Sequence, residues 1–343
     1  MARGRRVKVK NGIYHLMTRT VNGEFFFGKA EKEQVRKMIA TVAAFSGVEV
    51  LTYCVMSNHL HLLVRVLDGK DLDALRERDL MAFDRELLRR YQLLHQASVG
   101  KRKEGRALKY APHTPEQIEL ALKGSPEVAN YMRDRLRARM FDVSAFMKTL
   151  KQRISIWYNV TRKRYGPVWC DRFKSVLVEG SKEVLLVLAA YIDLNPVRAG
   201  LVKDPRKYRY CGYAEALGGS EELRRGLRVV TGVTEAMGDW KVVLAEYRKL
   251  LLSAASAAKA GKARLDPLEV RDILEKGGGE LSRAALLLHR LTYFVNGKIL
   301  GTENWVKERL GSGEDMSPDD AAVLDTMKPL AGLGLMAAKS CRS

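Results

Sequence analysis

The sequence predicts an α+β fold built on a ferredoxin-like (split βαβ) antiparallel sheet. Two observations support this prediction. Short runs rich in β-forming residues recur along the chain, and longer runs with apolar residues at helical spacing separate them. The order of these runs is β-α-β-β-α-β, which defines the split βαβ arrangement. In that topology the first and third strands lie at the centre of the sheet.

The first four elements follow one another closely. Residues 12–20 alternate in polarity and contain β-forming residues, which predicts the first strand. Apolar residues at helical spacing over 30–45 predict the helix that follows, and Gly47 ends it. Residues 48–56 and 59–66 are predicted to be the two strands of a hairpin with a tight turn.

The remaining elements come much later in the chain. Apolar side chains on one side of residues 143–159 predict the second helix, and residues 172–179 predict the fourth strand. Ser181 is placed to cap a further helix over 182–194, which contains Tyr191.

Two stretches lie outside this order. We expect an α+β core of residues 1–66 and 142–213, a mostly helical insertion at 67–141, a helical C-terminal region at 221–310 and a flexible tail at 311–343. Helices joined by a short glycine turn in the C-terminal region are compatible with a helix-turn-helix reader of DNA, and equally with any small helical bundle.

The charge of the chain selects a class of partner. The 343 residues include 60 Lys and Arg against 40 Asp and Glu, which gives a formal net charge of +20. An excess of this size favours a polyanionic partner, of which nucleic acid is the most common. Charge alone indicates no reaction.

Cysteine usage and hydropathy indicate a cytoplasmic protein. The four cysteines are far apart with no C-x-x-C pair, which argues against a zinc knuckle and a disulfide framework and fits a reducing compartment. The charged N-terminus lacks the apolar stretch of a signal peptide, and no apolar run is long enough to span a membrane. We therefore expect no membrane partner.

A pair of histidines marks the third predicted strand. His59 and His61 flank Leu60, and because side chains alternate along a strand, both imidazoles point to one face, roughly 7 Å apart by the strand rise. Two imidazoles so placed can hold one divalent metal ion. Histidines satisfied by hydrogen bonds in a sheet are also common, so the pair alone leaves both interpretations open.

Tyr191 and Asn195 lie four residues apart, on the same face of the last predicted helix. A tyrosine hydroxyl can attack a phosphodiester and form a covalent intermediate, and an asparagine oxygen suits Mg²⁺ or Mn²⁺ as a third ligand beside two imidazoles. The alternatives are a tyrosine packed in the core and an asparagine that only ends the helix, because Pro196 follows it.

An ordered set of motifs surrounds these residues. It comprises NHLHLLV at 58–64, GPVW at 166–169, RFKS at 172–175 and YIDLNPVRAG at 191–200. The set resembles the REP-associated tyrosine transposases, which belong to the single-tyrosine HUH transposases and nucleases. The resemblance covers about residues 12–66 and 142–213.

The resemblance implies a sheet of the HUH nuclease type and a set of roles. His59 and His61 correspond to the metal ligands, Tyr191 to the nucleophile and Asn195 to the third metal contact, with Mg²⁺ or Mn²⁺ as the ion. It further implies cleavage of single-stranded DNA, often at a hairpin-associated sequence. The products are a 5′-phosphotyrosine link and a free 3′-OH that can rejoin strands.

Basic residues are candidates for contact with the DNA backbone. They form an N-terminal arm, a loop and one face of the fourth strand. They are Arg3, Arg5 and Arg6, then Arg162, Lys163 and Arg164, then Arg172 and Lys174. His15 lies on the first strand, next to the predicted metal strand, where it could assist the site, although a satisfied sheet histidine is the favoured explanation.

We therefore predict a metal-dependent HUH tyrosine transposase, a site-specific single-strand DNA nuclease and strand transferase. It would act on single-stranded or hairpin DNA as a monomer or a homodimer, in the cytoplasm of a bacterium. One alternative is a non-catalytic nucleic-acid-binding regulator on a ferredoxin-like sheet. Another is a metal-dependent hydrolase that uses water in place of tyrosine.

Overall fold

The computed structural model describes residues 7–96, 113–259, 297–310, 328–330 and 335–339. The chain forms two compact units. The first comprises Met1–Thr18, Val50–Arg65 and Arg172–Ser343, and the second comprises Arg19–Glu49 and Val66–Asp171. The predicted basic arm at Arg3, Arg5 and Arg6 lies outside the described residues. Residues 260–296 of the predicted helical region at 221–310 also lie outside them.

The strands form one mixed sheet. They are β1 Ile13–Arg19, β2 Val48–Val55, β3 His59–Val66, β4 Lys174–Val178, β5 Gly297–Gly301, β6 Lys328–Leu330 and β7 Leu335–Lys339, in the order β2-β3-β1-β4-β5-β7-β6. The stretch β2-β3-β1-β4 is the predicted split βαβ order, with β1 and β3 at its centre. The α+β prediction is confirmed.

The helices named here are those of the described residues. They are α1 Lys29–Ser46, α2 Lys70–Arg78, α3 Leu80–Gln96, α4 Pro115–Leu122, α5 Pro126–Arg137, α6 Val143–Thr161, α7 Lys182–Asp193, α8 Asn195–Arg198, α9 Gly212–Leu217, α10 Glu221–Thr231, α11 Trp240–Lys259 and α12 Glu303–Leu310. None of them is both long and apolar enough to cross a lipid bilayer.

Central position explains the composition of β1 and β3. β1 buries six of its seven side chains and β3 buries most of its eight, so both faces of these strands lie in the interior. The turn before β3 is tight, because the Met56 N–H donates to the His59 carbonyl at 2.9 Å. β1 runs antiparallel to β4, with His15 opposite Val176. The histidines therefore lie on the most constrained strands of the sheet.

The C-terminal strands correct two expectations from the sequence. Residues 297–301 form β5, where a helical region was predicted, and β6 and β7 lie in the predicted flexible tail. β5 pairs parallel with β4, with Leu177 opposite Ile299. Without β5, the edge of β4 would present unpaired N–H and C=O groups. A five-residue run such as this one has no periodicity that separates strand from helix. The boundaries drawn for core, insertion and tail stay predictions.

The described residues of the second unit are mostly helical. α1 packs on both α6 and α3, and α2 to α5 fall within residues 67–141. Thr114 forms a capping box with Gln117 at the start of α4, and the Asp142 carboxylate accepts from the Ala145 N–H at the start of α6. The basic stretch at 101–106 lies outside the described residues.

A buried carboxyl group anchors α7 in the first unit. Asp193, at the end of this helix, accepts hydrogen bonds from Thr52 Oγ1 (2.9 Å), Tyr247 Oη (2.6 Å) and the Tyr213 N–H (3.2 Å). Asp193 is completely buried, and this burial raises the pKa of its carboxyl group to about 7. One side chain thus ties α7 to β2, α11 and the start of α9.

Removal of one donor should destabilise this anchor. We expect Tyr247→Phe to lower the free energy of unfolding by about 1–3 kcal/mol, because a buried acceptor loses a hydrogen bond. Urea denaturation measures the change. Tyr131→Phe, at a tyrosine that is 63% exposed, is the matched control and should have little effect. Equal stability of Tyr247→Phe and the wild-type protein would contradict the anchoring role.

Candidate metal and tyrosine site

Two histidines lie on one face of β3, as strand alternation requires. The ring centroids of His59 and His61 are 5.2 Å apart, and the ring planes are nearly perpendicular, at 87°. His61 is buried, whereas His59 is partly exposed. The pair thus joins one rigidly packed ring to one ring that solvent and ligands can reach.

Hydrogen bonds at Nδ1 orient both rings. His59 Nδ1 lies 2.7 Å from Asn58 Oδ1, and His61 Nδ1 lies 2.9 Å from Nε2 of His15. In metal sites, the ring nitrogen that does not bind the ion usually makes such a bond. We therefore assign Nε2 of each histidine as the atom that would bind a metal.

Tyr191 projects from α7 toward the same rings. Its ring centroid lies 5.9 Å from that of His61 and 6.2 Å from that of His15, with nearly perpendicular planes in both pairs. Tyr191 is only 3% exposed. A phenol from a late helix and imidazoles from β1 and β3 are thus brought together, as the sequence predicted for Tyr191 and His61.

A cation covers the tyrosine ring. The guanidinium carbon of Arg198, on α8, lies 4.0 Å from the centroid of Tyr191. At this distance a guanidinium interacts favourably with an aromatic face. Arg198 is half-buried, so its charge is held at the site. It lies within the YIDLNPVRAG motif, but nothing in the sequence pattern assigns it a role.

Asn195 lies in the turn that follows Tyr191. It is buried, and its Nδ2 donates to the Tyr191 carbonyl at 3.4 Å. α7 ends at Asp193 and α8 begins at Asn195, where Pro196 is tolerated because the first turn of a helix needs no N–H partner. Asn195 therefore begins a new helix. This corrects the expectations that it ends the helix of Tyr191 or lies on the same helix. Its role as a third metal ligand stays a prediction.

The predicted donor set is His59, His61 and Asn195. In the part of the chain that the structure describes, no group of three or more His, Cys, Asp or Glu side chains is placed to hold a metal. Two imidazoles and one amide oxygen nevertheless suit Mn²⁺ or Mg²⁺ when water and phosphate oxygens complete the shell. That these three residues hold an ion stays a prediction.

Most of the predicted DNA-contacting residues that the structure describes are exposed. In the second unit, Arg162 pairs with Glu31, and the Arg164 guanidinium lies 4.5 Å from the ring of Phe26. Lys163 adopts a left-handed backbone conformation in the turn between them. In the first unit, Arg172 and Lys174 are exposed at the start of β4. Contact of any of these residues with DNA stays a prediction.

The sequence assigned no role to Arg198 and left that of His15 open. The sequence located His15 on a neighbouring strand but not its register against β3, and only the register decides whether it reaches His61. Arg198 has its position because α8 begins two residues after α7 ends. The residues Asn195 and Pro196 alone do not predict that a second helix begins there.

Two comparisons with known proteins found a match, one to a solved structure and one to a sequence family. A solved REP-associated tyrosine transposase bound to a REP hairpin matches with 14% identity and a TM-score of 0.38, over 64% of this chain and 87% of that chain. A similarity of that extent establishes neither fold nor function. No curated protein matches significantly. Residues 8–78, which include β1 and the histidine pair, match the family described as "Transposase IS200 like". This segment therefore has the sequence pattern of the IS200-like transposases.

Proposed function

We propose that this protein is a transposase-like enzyme that cleaves and rejoins single-stranded or hairpin DNA through a 5′-phosphotyrosine intermediate. The observation that supports this most directly is the buried Tyr191 ring, 5.9 Å from the ring of His61. The match of residues 8–78 to the IS200-like transposase family supports a DNA-processing role. The net charge of +20 fits a nucleic-acid partner.

The reaction would proceed by displacement at phosphorus. Tyr191 Oη attacks the scissile phosphate, the new O–P bond forms, and the bond from phosphorus to the 3′-oxygen breaks. The phenol gives up its proton, and the departing oxygen takes one up to become a free 3′-OH. Attack of a 3′-OH on the phosphotyrosine reverses these changes and restores the tyrosine, so strands are rejoined without an external energy source.

Each residue of the site would contribute a separate part of this chemistry. A Mg²⁺ or Mn²⁺ ion bound by His59, His61 and Asn195 would neutralise charge on the phosphate. Arg198 adds a second positive charge next to the attacking ring, where negative charge develops.

Two features of the sheet disfavour the alternative of a non-catalytic RNA-type binding module. Such modules stack bases on exposed aromatic side chains of their central strands. Here the only aromatic residue of β1 is Tyr14, which is 3% exposed, and β3 has histidines in place of aromatics. The described sheet therefore offers no stacking platform on its central strands.

Loss of the Tyr191 hydroxyl should abolish the covalent intermediate. We expect Tyr191→Phe to give no denaturation-resistant adduct with a labelled pool of single-stranded and hairpin oligonucleotides in Mn²⁺, while DNA affinity changes less than about threefold, because the ring is kept. Denaturing gels and filter binding measure the two quantities. Tyr165→Phe, at a tyrosine that is 78% exposed, is the control. An adduct that persists in Tyr191→Phe would exclude this nucleophile.

Removal of the histidine pair should abolish metal-dependent cleavage. We expect the double variant His59→Ala with His61→Ala to lose about a hundredfold or more in cleavage rate, since charge on the phosphate is no longer offset. His95→Ala, in α3, is the control and should cleave normally. Undiminished Mn²⁺-dependent cleavage by the double variant would place the metal elsewhere.

The cation next to the nucleophile should affect rate more than binding. We expect Arg198→Met to slow adduct formation about tenfold, the loss of one close charge interaction. Arg198→Lys should recover part of the rate. Arg225→Met, at an exposed position of α10, separates this effect from a general loss of positive charge. Equal rates for Arg198→Met and Arg225→Met would assign Arg198 to packing only.

A further inference from the structure

A third histidine lies against the pair on β3. His15 is 1% exposed, and its ring lies edge to edge with that of His61, with centroids 5.1 Å apart and planes 15° from parallel. The plane of the same ring is 77° from that of Tyr191, with centroids 6.2 Å apart. His15 therefore contacts both the predicted inner metal ligand and the predicted nucleophile.

The hydrogen bond between His15 and His61 fixes which nitrogen faces the site. Nε2 of His15 and Nδ1 of His61 are 2.9 Å apart, and such a bond needs one N–H donor and one acceptor. If His61 binds a metal through Nε2, its proton must lie on Nδ1. The Nδ1–H of His61 then donates to Nε2 of His15, which carries its own proton on Nδ1.

We propose that His15 is the positioning residue of this site, which holds the ring of His61 with its Nε2 directed to the metal and the scissile phosphate. The inference rests on the proposed function, because it assigns a metal to His61. His59 is oriented by Asn58, its neighbour in sequence, whereas His61 is oriented from another strand, 46 residues away. The geometry of the inner ligand thus depends on the register between β1 and β3.

Burial of the His15 and His61 imidazoles costs free energy, and this cost supports a functional role for the two residues. Two imidazoles are buried at the centre of the sheet, where two apolar side chains of similar shape would be as stable or more stable. Partners of this kind typically set the affinity of a metal site, and their removal costs about 10–100-fold in metal binding or activity. Stability alone does not require histidine at residue 15.

Metal binding by the full chain without DNA tests the proposal. We expect His15→Phe, which keeps an aromatic ring but removes the acceptor, to weaken Mn²⁺ binding about 10–100-fold in titration calorimetry. His15→Gln, whose side-chain oxygen can accept near the position of Nε2, should recover most of the affinity. Met17→Leu changes the same face of β1 two residues away and should bind like the wild-type protein.

A kinetic measurement separates positioning from a general effect on folding. In His15→Phe, the Mn²⁺ concentration that gives half-maximal adduct formation should rise by the same factor, and saturating Mn²⁺ should restore most of the rate. A purely structural role would instead lower the rate equally at every Mn²⁺ concentration, and that result would overturn the proposal. Wild-type Mn²⁺ affinity in His15→Phe would overturn it as well.

Two further results keep the test decisive. If His15→Phe does not fold, nitrogen-15 NMR of the wild-type imidazoles decides, because the proposal requires His61 to carry its proton on Nδ1. A proton on Nε2 would overturn it. Wild-type Mn²⁺ affinity in His61→Ala would contradict the metal assignment of the proposed function itself, which separates that failure from failure of the role of His15.

Discussion

The buried carboxyl group of Asp193 is the constraint on which the site depends. It joins the end of α7 to Thr52 of β2 and to Tyr247 of α11. β2 is the neighbour of β3 in the sheet, and Tyr191 precedes Asp193 by two residues on the same helix. Because these hydrogen bonds hold the Asp193 carboxyl group in place, they also set the position of α7 along the sheet and its rotation. The position of the Tyr191 phenol follows from both.

The second constraint is the adjacency of β1 and β3. Because these are the central strands, hydrogen-bonded neighbours and buried faces on both sides hold their relative position. His15 and His61 meet only through this register. The three rings of His15, His61 and Tyr191 form one packed cluster, and Arg198 closes it with positive charge. The site is preorganised by the sheet and the α7–α8 turn.

The sequence predicted the order of the core elements and the shared face of His59 and His61, because strand alternation and connection order are local properties. The approach of Tyr191 to His61 was expected from the resemblance of the motifs and not from local pattern. The contact of His15 with His61 requires the pairing register of two distant strands, which local pattern does not determine. β5 was missed because a five-residue apolar run has no distinctive period, and its strand conformation comes from the edge of β4.

The proposed reaction depends on one covalent bond between Tyr191 of this chain and DNA. Mass spectrometry of proteolytic fragments, after the wild-type protein is incubated with single-stranded DNA and Mn²⁺ and the DNA is trimmed by nuclease, identifies the linked residue. We expect a nucleotide phosphate on the fragment that contains Tyr191. Cleaved DNA without a modified fragment, or a nucleotide on any other residue, would contradict it.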